Sequence, residues 1–111
     1  MSKFILIALT NCTNPAREAE FNDWYTNVHV QDALKNPTFL SGTRYRILGQ
    51  PRWGDGRNRY LALYEMEADD PAAWMAEMRR HSQGSNPNQL YPDWEILLIA
   101  AYESITERIT A

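Results

Sequence analysis

Apolar residues recur along this chain with two periods, every second residue in some stretches and every third or fourth in others. The switches between them mark six elements. Lys3 to Thr10 sets Phe4, Leu6 and Ala8 against Ile5, Ile7 and Leu9, a strand apolar on both faces. Asn14-Pro15 then supplies an N-cap and a first helical position. The helix it opens runs to about Ala33 or Leu34, with room for a break near Asn27, until Pro37 stops it. At about 100° per residue Phe21, Tyr25 and Val28 share one stripe, bordered by Trp24. Thr38 to Leu48 returns to a period of two, with Phe39, Thr43, Tyr45 and Ile47 opposing Leu40, Gly42, Arg44, Arg46 and Leu48. Gly49 to Asn58 is a long hairpin loop with Trp53 at its tip, and Arg59 to Glu67 is the returning strand. Asp70-Pro71 repeats the cap signal before a second helix to about His81, whose apolar side is Trp74, Met75 and Met78. Ser82 to Asp93 is a loop of about twelve residues, a length typical of lids and binding loops. Trp94 to Tyr102 closes the series, with Trp94, Ile96, Leu98 and Ala100 opposing Leu97, Ile99 and Ala101.

The order βαββαβ predicts an α+β fold of the ferredoxin-like kind: a four-stranded antiparallel sheet with both helices on one face, as a single domain over residues 1–111. Two helices cover only one face of such a sheet. Since the first and last strands are apolar on both faces, a second copy of the sheet is the expected cover, giving a homodimer that Trp53 could reach across.

Charge and composition narrow the partners. A net charge of −3 and a pI near 5.3 leave no basic patch for nucleic acid. The third strand also lacks the Gly and basic-aromatic pattern of RNA-recognition domains. With no apolar run near the roughly 18 residues of a membrane span and no cleavage-site pattern after Met1, the expected location is cytoplasmic, without membrane association. Cys12 is the single cysteine, so no internal disulfide forms, and it makes no zinc-binding spacing with His29 and His81.

Chemistry concentrates between Glu20 and Asp32. His29 lies one turn beyond Tyr25 at the edge of the apolar stripe, where an imidazole can exchange a proton near neutral pH. The structural alternative is a helix-edge histidine bonded to a carbonyl. Asp32 could orient that ring or simply pair with Lys35. Tyr25 could donate to a substrate carbonyl, or be core with its hydroxyl at the rim. Phe21, Trp24, Trp74, Met75 and Met78 are pocket walls if the helices stand off the sheet and core if they do not. Arg44 and Arg46 either bind a substrate carboxylate or reach solvent at the sheet edge, the latter being the expectation.

Phe21-Asn22-Asp23-Trp24-Tyr25, followed by Val28-His29-Val30, Ala33-Leu34 and Pro37-Thr38-Phe39, resembles the pattern of the EthD-like branch of the dimeric α+β barrel proteins. The match is strongest over Glu20 to Arg46. The resemblance implies a pocket between helices and sheet in each subunit of a homodimer. It also implies chemistry on small apolar, often aromatic or carbonyl-bearing compounds without metal or organic cofactor, of lyase, isomerase or cyclase type. Cofactor-free oxygenation, and a binding or stress-related role without turnover, are the alternatives. The family's histidine corresponds to His29 and its aromatic pair to Trp24 and Tyr25. A second histidine used by some related cyclases falls near His81, although Arg79-Arg80-His81-Ser82-Gln83 does not reproduce their His-Pro-x-His pattern.

Overall fold

The structure, a computed structural model, describes residues 1–82 and 93–111. Strands β1 (Ser2–Cys12), β2 (Phe39–Arg46), β3 (Tyr60–Ala68) and β4 (Trp94–Tyr102) form one antiparallel sheet in the order β2-β3-β1-β4. That is the ferredoxin-like order expected from the pattern. The chain segment after β1 starts with a 3₁₀ turn, Pro15–Arg17, where the Asn14 side chain accepts from the Ala16 N–H at 3.1 Å. It continues as α1 (Glu18–Trp24), widens into a π-helical turn (Tyr25–His29) and closes as α2 (Val30–Ala33). Helix α3 (Pro71–Ser82) is capped by Asp70, which accepts from the Ala73 N–H at 3.1 Å. No helix among the described residues is long and apolar enough to cross a membrane. The Ser82 to Asp93 loop, apart from its two ends, and the His81 side chain lie outside the described residues.

The π turn resets the phase of the first helix. The Val30 N–H donates to the Tyr25 carbonyl, five residues back, so one extra residue is accommodated within the turn. With about 100° of rotation absorbed there, Val30 swings under the helix and is buried, while Val28 is left 47% exposed. Val28 therefore does not belong to the apolar stripe where uniform α periodicity put it.

Two bulges alter the strands in the same way. In β2, Phe39 faces Met66 and Ser41 faces the adjacent Glu65, so Leu40 is an extra residue. Phe39, Gly42 and Arg44 consequently share the helix side: Phe39 meets Trp74, Gly42 lies under Val30, and Arg44 lies over Tyr25. This corrects the even alternation that opposed Phe39 to Arg44. Gly42 is needed for the approach, because a methyl there would stand 3.1 Å from both the Tyr64 ring and Val30. In β4, Leu97 is the extra residue between partners of Thr10 and Leu9, so Ala101 joins Trp94 and Ile96 against the core instead of opposing them.

The core lies between sheet and helices. Phe4, Leu6, Ala8, Thr10 and Cys12 of β1 and Tyr60, Ala62, Tyr64 and Met66 of β3 are buried beneath Phe21, Tyr25 and Val30. Each large apolar side chain there contributes about 1.5–3 kcal/mol. The opposite face is different. Ile5, Ile7, Leu9, Leu61 and Leu63 are only partly covered, and Leu40, Leu98 and Tyr102 are exposed. A cleft of about 390 Å³ opens there between Ile5, Leu40, Leu63 and Tyr102.

Candidate active site

His29 ends the π turn, and the widened turn carries it over three aromatic rings. It stacks on Trp24, with centroids 5.2 Å apart and planes 28° from parallel. The Tyr25 and Trp94 rings meet it edge-on at 4.9 and 4.8 Å. Trp24, Tyr25 and Trp94 also contact one another in edge geometry. Phe21 backs the group, fully buried against Trp24, Tyr25 and Tyr60. It is core, not an open wall.

The enclosure decides the charge of the imidazole. Burial lowers the His29 pKa from its ordinary value; Asp32 raises it and Arg44 lowers it further, for a net downward shift. His29 is therefore neutral at pH 7 and able to accept a proton. Asp32 itself is exposed and pairs with Lys35 at 3.0 Å, acting on the ring only at a distance.

Tyr25 occupies a place other than the rim expected for its hydroxyl. The residue is 1% exposed, and its hydroxyl lies beside Thr10 and Tyr64, toward the sheet. Burial raises its pKa, against the lowering effects of the Arg44 cation and of the Thr10 and Tyr64 hydroxyls. The Tyr64 contact lacks good hydrogen-bond geometry, so the Tyr64 hydroxyl stays buried with its capacity unspent, and its pKa is pushed well up by burial. The Trp94 Nε1–H is also buried, with no acceptor among the described residues.

Arg44 is a half-buried cation turned to the helix side of the edge strand, where the expectation had it simply reaching solvent. Its guanidinium carbon lies 4.3 Å over the centre of the Tyr25 ring and 5.3 Å from that of Tyr60. The bulge at Leu40 turned it inward. Its Nη1 donates to the Asn22 carbonyl at 3.3 Å and to Thr26 Oγ1 at 3.1 Å, and its Nη2 to Asn22 Oδ1 at 3.0 Å.

Trp74 and Met78 do not join this group. Trp74 meets Phe4 at a tilt and Phe39 edge-on, at 5.6 and 5.8 Å, in a second aromatic cluster under α3. Met78 is half-buried on the same helix. His81 lies near the end of α3, and its expected part in the site falls outside the described residues. Sequence reasoning took Trp94 only as a strand residue and passed over Thr10, Asn22, Tyr60 and Tyr64. The available signal was cross-strand register: Cys12 lies opposite Trp94, and Thr10 opposite Tyr60. Among the described residues no group of three or more His, Cys, Asp or Glu side chains could hold a metal ion.

Fold and site together define a ferredoxin-like α+β protein with an aromatic-enclosed histidine on its first helix, and solved structures share the fold. HapK from Hahella chejuensis superposes with a TM-score of 0.61 at 18% identity over 97% of this chain and 98% of its own. A dimeric ferredoxin-like protein from an uncultured marine organism gives 0.58 at 20% identity, over 97% and 100% of the two chains. An EthD family protein from Bacillus halodurans gives 0.58 at 18% identity, over 95% and 100%. The EthD-like resemblance of the Glu20 to Arg46 pattern is thus matched by the fold. In sequence, Core atranone cluster (CAC) protein 1 of Stachybotrys chlorohalonatus is 30% identical over 87 residues, covering 63% of this chain. The chain spans 35% of that relative's length. No family model matches the chain.

Proposed function

We propose that this protein is a small-molecule enzyme of lyase, isomerase or cyclase type, in which His29 transfers a proton to or from an apolar, aromatic or carbonyl-bearing substrate. The observation that carries the reading is the neutral imidazole of His29 held among Trp24, Tyr25 and Trp94. Rings on three sides suit a flat apolar ligand, and a neutral imidazole is a competent base near pH 7. Tyr25 orients the imidazole through its ring and does not use its hydroxyl on substrate. The relative named for the core atranone cluster supports a small organic compound as the substrate class.

The working unit is a homodimer. The half-covered sheet face of Ile5, Ile7, Leu9, Leu61 and Leu63 supports it, as does the dimeric description of a structural neighbour. A metabolite-binding protein without turnover is the second reading. It is favoured by burial of the Tyr25 hydroxyl, which leaves His29 as the acid–base group of the aromatic cluster.

The deciding experiment is turnover of a panel of phenolic, quinonoid and β-keto compounds, followed by mass spectrometry, for wild type and a folded His29→Ala variant. Product from wild type alone is the expected result, and its oxygen content separates proton-transfer chemistry from oxygenation. Equal product from both would remove His29 from the mechanism, and saturable binding without product would favour the second reading.

A further inference from the structure

A π turn takes one residue more than the helix around it and is rare for that reason, so its persistence calls for support from outside the helix. Here the support comes from the edge strand β2. Two residues on its helix side, Gly42 and Arg44, meet the two ends of the turn.

At the far end Val30 rests against the bare backbone of Gly42, an approach that a side chain there would block. At the near end the Arg44 guanidinium holds three residues at once. Its Nη1 donates to the Asn22 carbonyl and to Thr26 Oγ1, its Nη2 donates to Asn22 Oδ1, and its carbon stands 4.3 Å over the Tyr25 ring. The Tyr25 N–H also reaches the Asn22 carbonyl, so a charged N–H joins a backbone N–H on the oxygen where the helix begins to widen.

The guanidinium is committed to this segment. Among the described residues it has no ion pair, and every hydrogen bond it makes goes to Asn22 or Thr26. Asn22 is in turn tied to the sheet, donating from Nδ2 to the Tyr60 hydroxyl at 3.1 Å. Arg44, Asn22 and Tyr60 thus form one polar strut between sheet and helix. His29 ends the same π turn, with its ring edge-on at 4.9 Å to the Tyr25 ring that the guanidinium covers. Fixing Tyr25 and the start of the turn therefore fixes where the imidazole stands relative to Trp24 and Trp94.

We propose that Arg44 is a positioning residue of this site: through Asn22, Tyr25 and Thr26 it clamps the π turn and so holds the His29 imidazole among the three rings. A lysine carries the same charge, but its single ammonium cannot span a carbonyl, a side-chain amide and a hydroxyl as the planar guanidinium does. Clamping and the plain effect of the Arg44 charge on His29 are therefore separable. The clamp does not depend on His29 transferring a proton; only its effect on turnover rests on that reading.

The test compares wild type, Arg44→Lys and Arg44→Gln by NMR of the full chain. In both variants the Val30 N–H, which donates to the Tyr25 carbonyl, is expected to exchange about tenfold or more faster relative to the amides of β1 and β3. The His29 ring protons should lose the shifts imposed by Trp24, Tyr25 and Trp94 in Arg44→Lys as in Arg44→Gln, whereas an influence through charge alone would leave Arg44→Lys like wild type. Thr26→Val, at an exposed position, removes one bond of the clamp and should speed Val30 exchange by about two- to threefold, which keeps the test open if the Arg44 variants do not fold. On an accepted substrate kcat should fall about tenfold or more in Arg44→Lys with KM little changed. Unchanged Val30 exchange, wild-type His29 signals in Arg44→Lys, or a loss of protection shared equally by β1 and β3 would each overturn the proposal. So would an unchanged kcat in Arg44→Lys where His29→Ala is inactive; turnover that persists in His29→Ala would instead remove the proton-transfer reading and leave the NMR results to decide the clamp.

Discussion

Two aromatic clusters sit on the same face of the sheet, and they differ in what accompanies the rings. Under α3, Trp74 contacts both Phe4 and Phe39, with Tyr64 at the Phe39 ring, and a capped regular helix lies above them. Around the first helix, Phe21, Trp24, Tyr25, Tyr60 and Trp94 enclose an imidazole and a guanidinium, and the helix above them is π-widened. Ring content is similar in both. What distinguishes a site from a core here is the presence of ionisable groups whose charge the rings control, together with an irregular backbone that brings them inward.

The sharpest way to break this comparison is to truncate one member of each cluster. His29→Ala should lower turnover on any accepted substrate by about 10²- to 10⁴-fold, the usual worth of a positioned acid or base, with the fold retained. Trp74→Ala should do the reverse. It should cost about 2–3 kcal/mol in a denaturant melt while turnover per folded molecule persists, because it removes packing alone. If Trp74→Ala abolishes turnover in folded protein, the two clusters form one pocket after all.

The π turn can be tested by the two valines it separates. Val30→Ala should lose about 2 kcal/mol and Val28→Ala less than about 0.5, whereas a regular helix would give the opposite ranking. The smallest expected effect is on pH dependence. A histidine whose folded pKa lies below its unfolded value contributes stability fully above the unfolded pKa near 6.5, and loses it as pH falls through the folded pKa. Melts of wild type and His29→Gln should therefore converge with that sign as pH drops below 6.5. Removing the Arg44 charge with Arg44→Gln should raise the His29 pKa seen by NMR.

What lay open in the sequence was the extent of the elements that have a clear start or stop. The fourth strand spans Trp94 to Tyr102 as its pattern indicated, and both cap-plus-proline signals begin helical segments. The misplacements share one cause, a single inserted residue. Leu40, Leu97 and the residue absorbed between Tyr25 and Val30 each shift the phase without changing the composition of the stretch. No count of apolar positions detects them in advance. Arg44 was misplaced for that reason, and so was Val28. Trp94 was overlooked for another: its approach to His29 depends on the pairing of β1 with β4, which local spacing does not encode.

Both strand bulges fall on the outer strands, Leu40 in β2 and Leu97 in β4, while the central β1 and β3 pair without interruption. Outer strands are where a sheet is open to extension by a foreign strand, the first step toward amyloid-like aggregation. A bulge there breaks the regular spacing of free N–H and C=O groups that such a recruit would follow. The sheet is thus guarded along both margins and open on its flat side, so self-association is steered from growth in the plane of the sheet to stacking upon it.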